Sequence, residues 1–188
     1  MSKYIMLLAI FTVVFSCKEK TKKNRLAIEL KAFYGQTVTF PEELKSASGQ
    51  FPDFKDYPGS QNYKIIAYID SAACTPCTLQ PFTLWKNFTK KLEESNTRLI
   101  IILKSDRVRE IQEILTYYDI DFPAFTDPEG HFRTVNRLPE NPLLHTFLVD
   151  KNNRVAFVGS PIQNEKSWLL FQKTITQLNG NHGVLPPE

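Results

Sequence analysis

Two apolar runs separated by a helical pattern constrain this chain more than any other feature. Tyr63 to Asp70 (Tyr-Lys-Ile-Ile-Ala-Tyr-Ile-Asp) is mostly apolar, and Arg98 to Leu103 is unbroken in Leu and Ile after its first residue. Neither run has the strict alternation of a half-exposed strand, so both read as central strands covered on both faces. Between them Leu79, Phe82, Trp85, Phe88 and Leu92 recur at intervals of three or four, which gives a helix over Cys74 to Glu94 one buried face. Strand, helix and strand in this order make a parallel β-α-β unit.

The rest of the chain extends that unit. Val108, Ile111, Ile114, Leu115 and Tyr118 mark a second amphipathic helix. Ala124-Phe125 leads into Asp127-Pro128-Glu129-Gly130, a turn-forming cluster. Thr146–Asp150 and Val155–Gly159 read as a β-hairpin closed by Lys151-Asn152-Asn153-Arg154. Trp168, Leu169, Phe171, Ile175 and Leu178 then line a closing helix that ends near Gly180. Upstream, Phe33 to Pro41 has the chemistry of an edge strand or hairpin, and residues 42–62 read as a surface excursion. A parallel unit joined to an antiparallel hairpin predicts an α/β fold with a central mixed sheet flanked by helices.

The N-terminus reads as an address. Lys3 precedes an apolar stretch, Ile5 to Phe15, of signal-peptide rather than membrane-spanning length. It ends Val13-Val14-Phe15-Ser16-Cys17, which resembles the bacterial lipobox, where a small residue precedes a cysteine that is diacylated. The resemblance implies a lipoprotein signal peptide over 1–16, a lipidated Cys17 and a tether over 17–30 that merges into a short helical or irregular start. A domain over 31–182, with an N-terminal extension at 31–62, completes the organisation. Each acyl CH₂ buried in a membrane contributes about 0.8 kcal/mol, so acyl chains hold such a protein while its domain stays in water. The expected location is the bacterial cell envelope. The absence of an aspartate after Cys17 is similar to lipoproteins sorted to the periplasm-facing outer membrane.

With Cys17 acylated, two of the three cysteines remain, Cys74 and Cys77, at the start of the first helix. Unpaired N–H groups and the positive end of the dipole stabilise a thiolate there, so Cys74 is the expected attacking sulfur. Cys77, one turn further in, would resolve the mixed disulfide, and Pro76 suits the first turn of a helix. A metal site is not expected, because two cysteines supply half a tetrahedral shell and His131, His145 and His182 lack ligand spacing. No cofactor is expected. A formal net charge of +3, with no basic stripe, argues against nucleic acid.

These residues together resemble the thioredoxin-like superfamily, in particular the TlpA/ResA-like thiol-disulfide oxidoreductases and their alkyl-hydroperoxide-reductase relatives. The carriers are Ile65-Ile66-Ala67-Tyr68-Ile69 before Cys74-Thr75-Pro76-Cys77, Phe122-Pro123 with Asp127-Pro128-Glu129-Gly130, and Thr146-Phe147-Leu148-Val149-Asp150 before Val155-Ala156-Phe157-Val158-Gly159. The resemblance implies dithiol–disulfide exchange with protein thiols or disulfides of the envelope, and re-reduction by a membrane electron donor. It implies that Thr75 and Pro76 contact substrate, together with Leu144 and His145, which fall where the family has a cis-proline. This chain departs from the family there. It departs again at Ala73, where an aromatic residue is usual, and at Tyr68, where many members carry a buried acid. Pro142 stands two or three residues before the expected place, and a trans peptide is expected at Leu144. The peroxiredoxin pattern fails because Ala67 occupies its proline position. Two other readings compete with an active enzyme: a binding module presenting residues 42–62 or the Leu138–His145 loop, and a degenerate scaffold without redox turnover.

Overall fold

The computed structural model describes residues 23–57, 63–70 and 82–186. Among the described residues six strands form one sheet: β1 (Lys45–Ser46), β2 (Tyr63–Asp70), β3 (Thr97–Lys104), β4 (Ala124–Thr126), β5 (Thr146–Val149) and β6 (Val155–Val158). Their order across the sheet is β1-β4-β3-β2-β5-β6. β2, β3 and β4 run parallel, whereas β1, β5 and β6 pair antiparallel to their neighbours. The expected mixed sheet is therefore present, with β2 and β3 at its centre. The helices are α1 (residues 23–33), α2 (residues 82–86), α3 (Thr89–Glu94), α4 (Val108–Tyr117), α5 (His131–Val135) and α6 (Glu165–Gly180).

Alternation along the central strands divides the core into two layers. Ile65 and Ala67 of β2 join Leu99, Ile101 and Leu103 of β3 on one face, under Phe82, Trp85, Leu92, Ile111, Leu115 and Phe171. Ile66 and Tyr68 join Ile100 and Ile102 on the other, against Phe33, Val38, Leu44, Phe132 and Phe147. Because both faces are covered, the runs carry no polar alternation. Each fully buried Ile or Leu contributes about 1.5–3 kcal/mol.

Four expectations need correction. The helix read over Cys74 to Glu94 is interrupted within its described part: α2 and α3 are separated by a turn at residues 87–88. There Phe88 N–H donates to Trp85 C=O at 2.8 Å and the Thr89 hydroxyl to Lys86 C=O at 2.9 Å, which tightens the backbone. Phe33 to Pro41 is not a strand. Phe33 ends α1 and sits 2% exposed against Phe147, and the chain reverses at Gly35 with φ +78, a conformation glycine adopts without cost. What remains of the edge pairing is one bridge, Thr37 to Arg154, flanked by Gly35 N–H donating to Val155 C=O and Val155 N–H donating to Gln36 C=O.

Residues 42–57 are not a free excursion. Leu44 and Ala47 are buried, β1 pairs with β4, and Phe54 stacks on Phe40 at a centroid distance of 4.5 Å. Finally, Leu169 lies 56% exposed on the outer side of α6, whose inner face is Phe171, Thr174, Ile175 and Leu178. Helix α1 covers the second half of the span read as a tether.

Candidate functional site

The three parallel strands end on one side of the sheet, at Asp70, Lys104 and Thr126. This is the side on which open α/β sheets place their ligands. From Asp70 the chain continues into the segment 71–81. Cys74, Thr75, Pro76 and Cys77 belong to that segment and lie outside the described residues, as do Cys17, Ala73 and Leu79.

β5 starts on the same side because it runs antiparallel to β2, with Ala67 opposite Thr146. Tyr68 N–H donates to His145 C=O at 2.9 Å, extending the ladder by one bond beyond β5. The structure thus brings Leu144 and His145 beside the end of β2. Their side chains point into the domain, each 4% exposed, whereas Leu143 is 67% exposed and Pro142 is exposed beside it. Pro142–Leu144 form a single 3-10 turn, capped by the Asn141 side chain, which accepts Leu143 N–H at 3.0 Å. No peptide bond among the described residues is cis, in line with the trans peptide expected at Leu144.

Tyr68 is 4% exposed, and its hydroxyl is buried without a hydrogen-bond partner among the described residues. Its ring stacks on Phe132 at 5.9 Å and meets His145 edge-on at 5.7 Å. Burial pushes the phenol well above its ordinary range, so it stays protonated and can only donate or accept a hydrogen bond. His145 Nε2 lies 2.8 Å from Pro139 C=O, which makes it the protonated ring nitrogen. Burial lowers the pKa of His145, Arg133 adds to that shift, and the Pro139 carbonyl opposes it.

Two residues beyond Tyr68, on the same face of β2, Asp70 Oδ2 accepts from Arg133 Nη1 at 3.0 Å and lies 3.7 Å from Lys104 Nζ. Asp70 Oδ1 is buried and has no partner among the described residues. Gly130 makes room for this cluster. A Cβ there would stand 3.3 Å from Lys104 Cε and 3.7 Å from Tyr68 Oη, and its φ of +70 suits glycine. The turn containing Gly130 is shaped by Asp127, whose carboxylate accepts His131 and Phe132 N–H at 2.9 and 3.0 Å and caps α5. The Asp127-Pro128-Glu129-Gly130 cluster therefore builds α5, which carries Arg133. Sequence reasoning singled out Tyr68 and His145 but missed Asp70, Lys104 and Arg133. Among the described residues no group of three or more His, Cys, Asp or Glu side chains is placed to hold a metal ion. No described helix is long and apolar enough to cross a membrane.

A sheet of this order, with a cysteine-bearing segment leaving the end of its central strand, is thioredoxin-like. The model of the AhpC/TSA family matches residues 36–158, most of the chain, and the protein belongs to that family. No curated protein matches it in sequence. Among solved structures, a Chlorobium tepidum protein described as a candidate thiol:disulfide interchange protein DsbE is similar with a TM-score of 0.56. It shares 17% identity over 76% of this chain and 97% of its own. The peroxidoxin BcpB of Mycobacterium tuberculosis gives 0.55 at 19% identity over 78% and 96%. A mutant PrxQ of Xylella fastidiosa gives 0.54 at 13% identity over 79% and 96%. At these identities the likeness is one of fold.

Proposed function

We propose that this protein is a thiol-disulfide oxidoreductase that works through Cys74 and Cys77. The Cys74 thiolate attacks a partner disulfide, forming a mixed disulfide and releasing one partner thiolate. The Cys77 thiolate then attacks the Cys74 sulfur, closing the Cys74–Cys77 disulfide and releasing the second partner thiolate. Two electrons pass from the dithiol to the partner, whose two thiolates take up the protons. A membrane electron donor would restore the dithiol.

The observation that carries this reading is the bond between Tyr68 N–H and His145 C=O. It holds the 3-10 turn of Pro142–Leu144 beside the strand end from which the cysteine segment departs. Four residues from Asp70 span at most about 14 Å, which bounds the distance between the strand end and Cys74. Membership of the AhpC/TSA family supports the same chemistry. The exposed Pro142 and Leu143, with the turn's backbone, would touch the partner, because the Leu144 and His145 side chains are turned inward. The partners would be protein thiols or disulfides of the bacterial envelope, reached by a domain held through acyl chains on Cys17.

Thiol trapping across a series of redox buffers tests the proposal. The Cys74/Cys77 couple should titrate as a two-electron pair, and Cys74→Ser should lower disulfide exchange with a model protein by at least about 100-fold. Wild-type rates in Cys74→Ser would remove Cys74 from the reaction, and exchange at background in both proteins would leave a binding module or an inactive scaffold. Hydroperoxide consumption should stay at background. Anchoring is read separately: Cys17→Ala should abolish fatty-acid labelling and release the chain from membranes.

A further inference from the structure

Helix α1 buries little of itself. Of residues 23–33 only Phe33 is buried, yet side chains of this helix hold one loop on the far side of the sequence. Glu29 Oε2 accepts Asn141 N–H at 3.2 Å, across 112 residues. Its other oxygen accepts from Arg25 Nε at 3.0 Å, and the Arg25 guanidinium also pairs with Glu140. The Glu29 side chain is 19% exposed against 77% for Glu140, so Glu29 makes the sheltered contact.

Asn141 begins the 3-10 turn at the strand end. Its carbonyl accepts Leu144 N–H at 3.0 Å, and His145 N–H reaches Pro142 C=O at 3.1 Å. His145 C=O then takes Tyr68 N–H. Hydrogen bonds therefore run without a gap from Glu29 through the turn to the end of β2. A three-residue 3-10 turn has little stability of its own. Its inner side is held by the buried Leu144 and His145 side chains and the His145–Pro139 bond, and its ends by two ties: His145 C=O to β2 at one end, Asn141 N–H to Glu29 at the other.

We propose that Glu29 is a positioning residue for partner docking: from α1 it fixes the Asn141–His145 turn, so that Pro142 and Leu143 meet the partner polypeptide in one orientation. The proposal rests on the oxidoreductase reading, and its readouts are chosen to fail separately from that reading. The site of substitution is on a helix with few buried residues, so Glu29→Ala keeps helix propensity and the fold.

In the full chain, Glu29→Ala should raise KM for a protein disulfide about five- to tenfold, a loss of binding rather than of chemistry. The Cys74 alkylation rate and the reduction of a small disulfide such as oxidised glutathione should stay within about twofold of wild type. Glu29→Gln, whose amide oxygen still accepts Asn141 N–H, should restore the wild-type KM. An unchanged KM in Glu29→Ala overturns the proposal. So does an equal slowing of protein disulfide, small disulfide and alkylation, which would mean general loosening. If the wild type exchanges no disulfides, the oxidoreductase reading has failed by itself. Hydrogen exchange at the Asn141, Leu143 and Leu144 amides then decides on Glu29: acceleration of about tenfold or more in Glu29→Ala keeps the brace, and unchanged protection removes it.

Discussion

The two ends of β2 are built on opposite terms. Near its start, at the close of β5, Asp150 is fully buried and both of its oxygens are used. Oδ1 accepts Asn152 and Arg154 N–H, each at 2.8 Å, and Oδ2 accepts Leu185 N–H at 2.7 Å. Beside it the Lys64 ammonium, pushed down by burial and held up in part by Asp150, donates to Asn153 Oδ1 at 2.9 Å. At the other end Asp70 shares one oxygen between Arg133 and Lys104 and leaves the other buried without a partner among the described residues, as does the Tyr68 hydroxyl. A buried polar atom without a partner costs about 1–3 kcal/mol, and folds that tolerate such atoms do so mainly at working surfaces. The closed end holds the hairpin and the C-terminal segment together. The open end is where the chain leaves for Cys74.

Asp150→Ala attacks the comparison at its strongest point. It removes three charge-assisted bonds at once, leaving the Leu185 amide buried without its acceptor and the part-buried Asn152 and Arg154 amides to find another. The expected cost is about 3–5 kcal/mol, read by urea denaturation at neutral pH. Asp150→Asn keeps one acceptor and should cost less. A loss below about 1 kcal/mol for Asp150→Ala would mean that water reaches these amides, and the contrast between the ends would disappear.

A smaller effect should come from pH, and between about pH 7 and 5 His145 at the open end supplies it. Burial places the pKa of folded His145 below its ordinary value, so the unfolded chain takes up the proton at a higher pH than the folded chain does. Below a pH of about 6.5 the unfolded state therefore binds more protons. The stability that His145 contributes is complete above that pH and is lost as pH falls toward the folded pKa. The slope cannot exceed about 1.4 kcal/mol per pH unit for one proton. Thermal unfolding at several pH values between about 7 and 5 should show the decline in wild type and a flatter line in His145→Gln. Equal slopes would show that another group sets the dependence.

The legible and illegible parts of this fold differ in range, not in importance. β2 and β3 were readable because residues buried on both faces must form an apolar run, and α4 because Ile111 and Leu115 return to one face. The hairpin was readable from its turn residues, which Asp150 organises locally. α1 was harder to see. Lys23, Asn24 and Arg25 look like a tether, and the helix is placed by Phe33 inserting beside Phe147, more than a hundred positions away. The part of the polar cluster carried by the strands was within reach: Tyr68 and Asp70 share a parity on β2, as Ile102 and Lys104 do on β3. Arg133 was not, because it arrives on α5 through a turn capped by Asp127, and no local period records that approach.

Tyr68→Phe gives the smallest effect and the sharpest reading of the open end. If the hydroxyl is a buried polar group with nothing to bond, deleting it removes a desolvation cost and keeps the ring on Phe132 and His145. The variant should then be more stable than wild type by about 1 kcal/mol. Most core substitutions go the other way, so the sign itself is diagnostic. Disulfide exchange should fall by about two- to tenfold if the hydroxyl meets a sulfur or a partner group during the reaction. A gain in stability together with a loss of exchange would mark the end of β2 as a place where stability has been given up for chemistry. A destabilised variant would instead mean that the segment 71–81 satisfies this hydroxyl in the resting protein, and the two ends of the strand would then differ only in which part of the chain closes them.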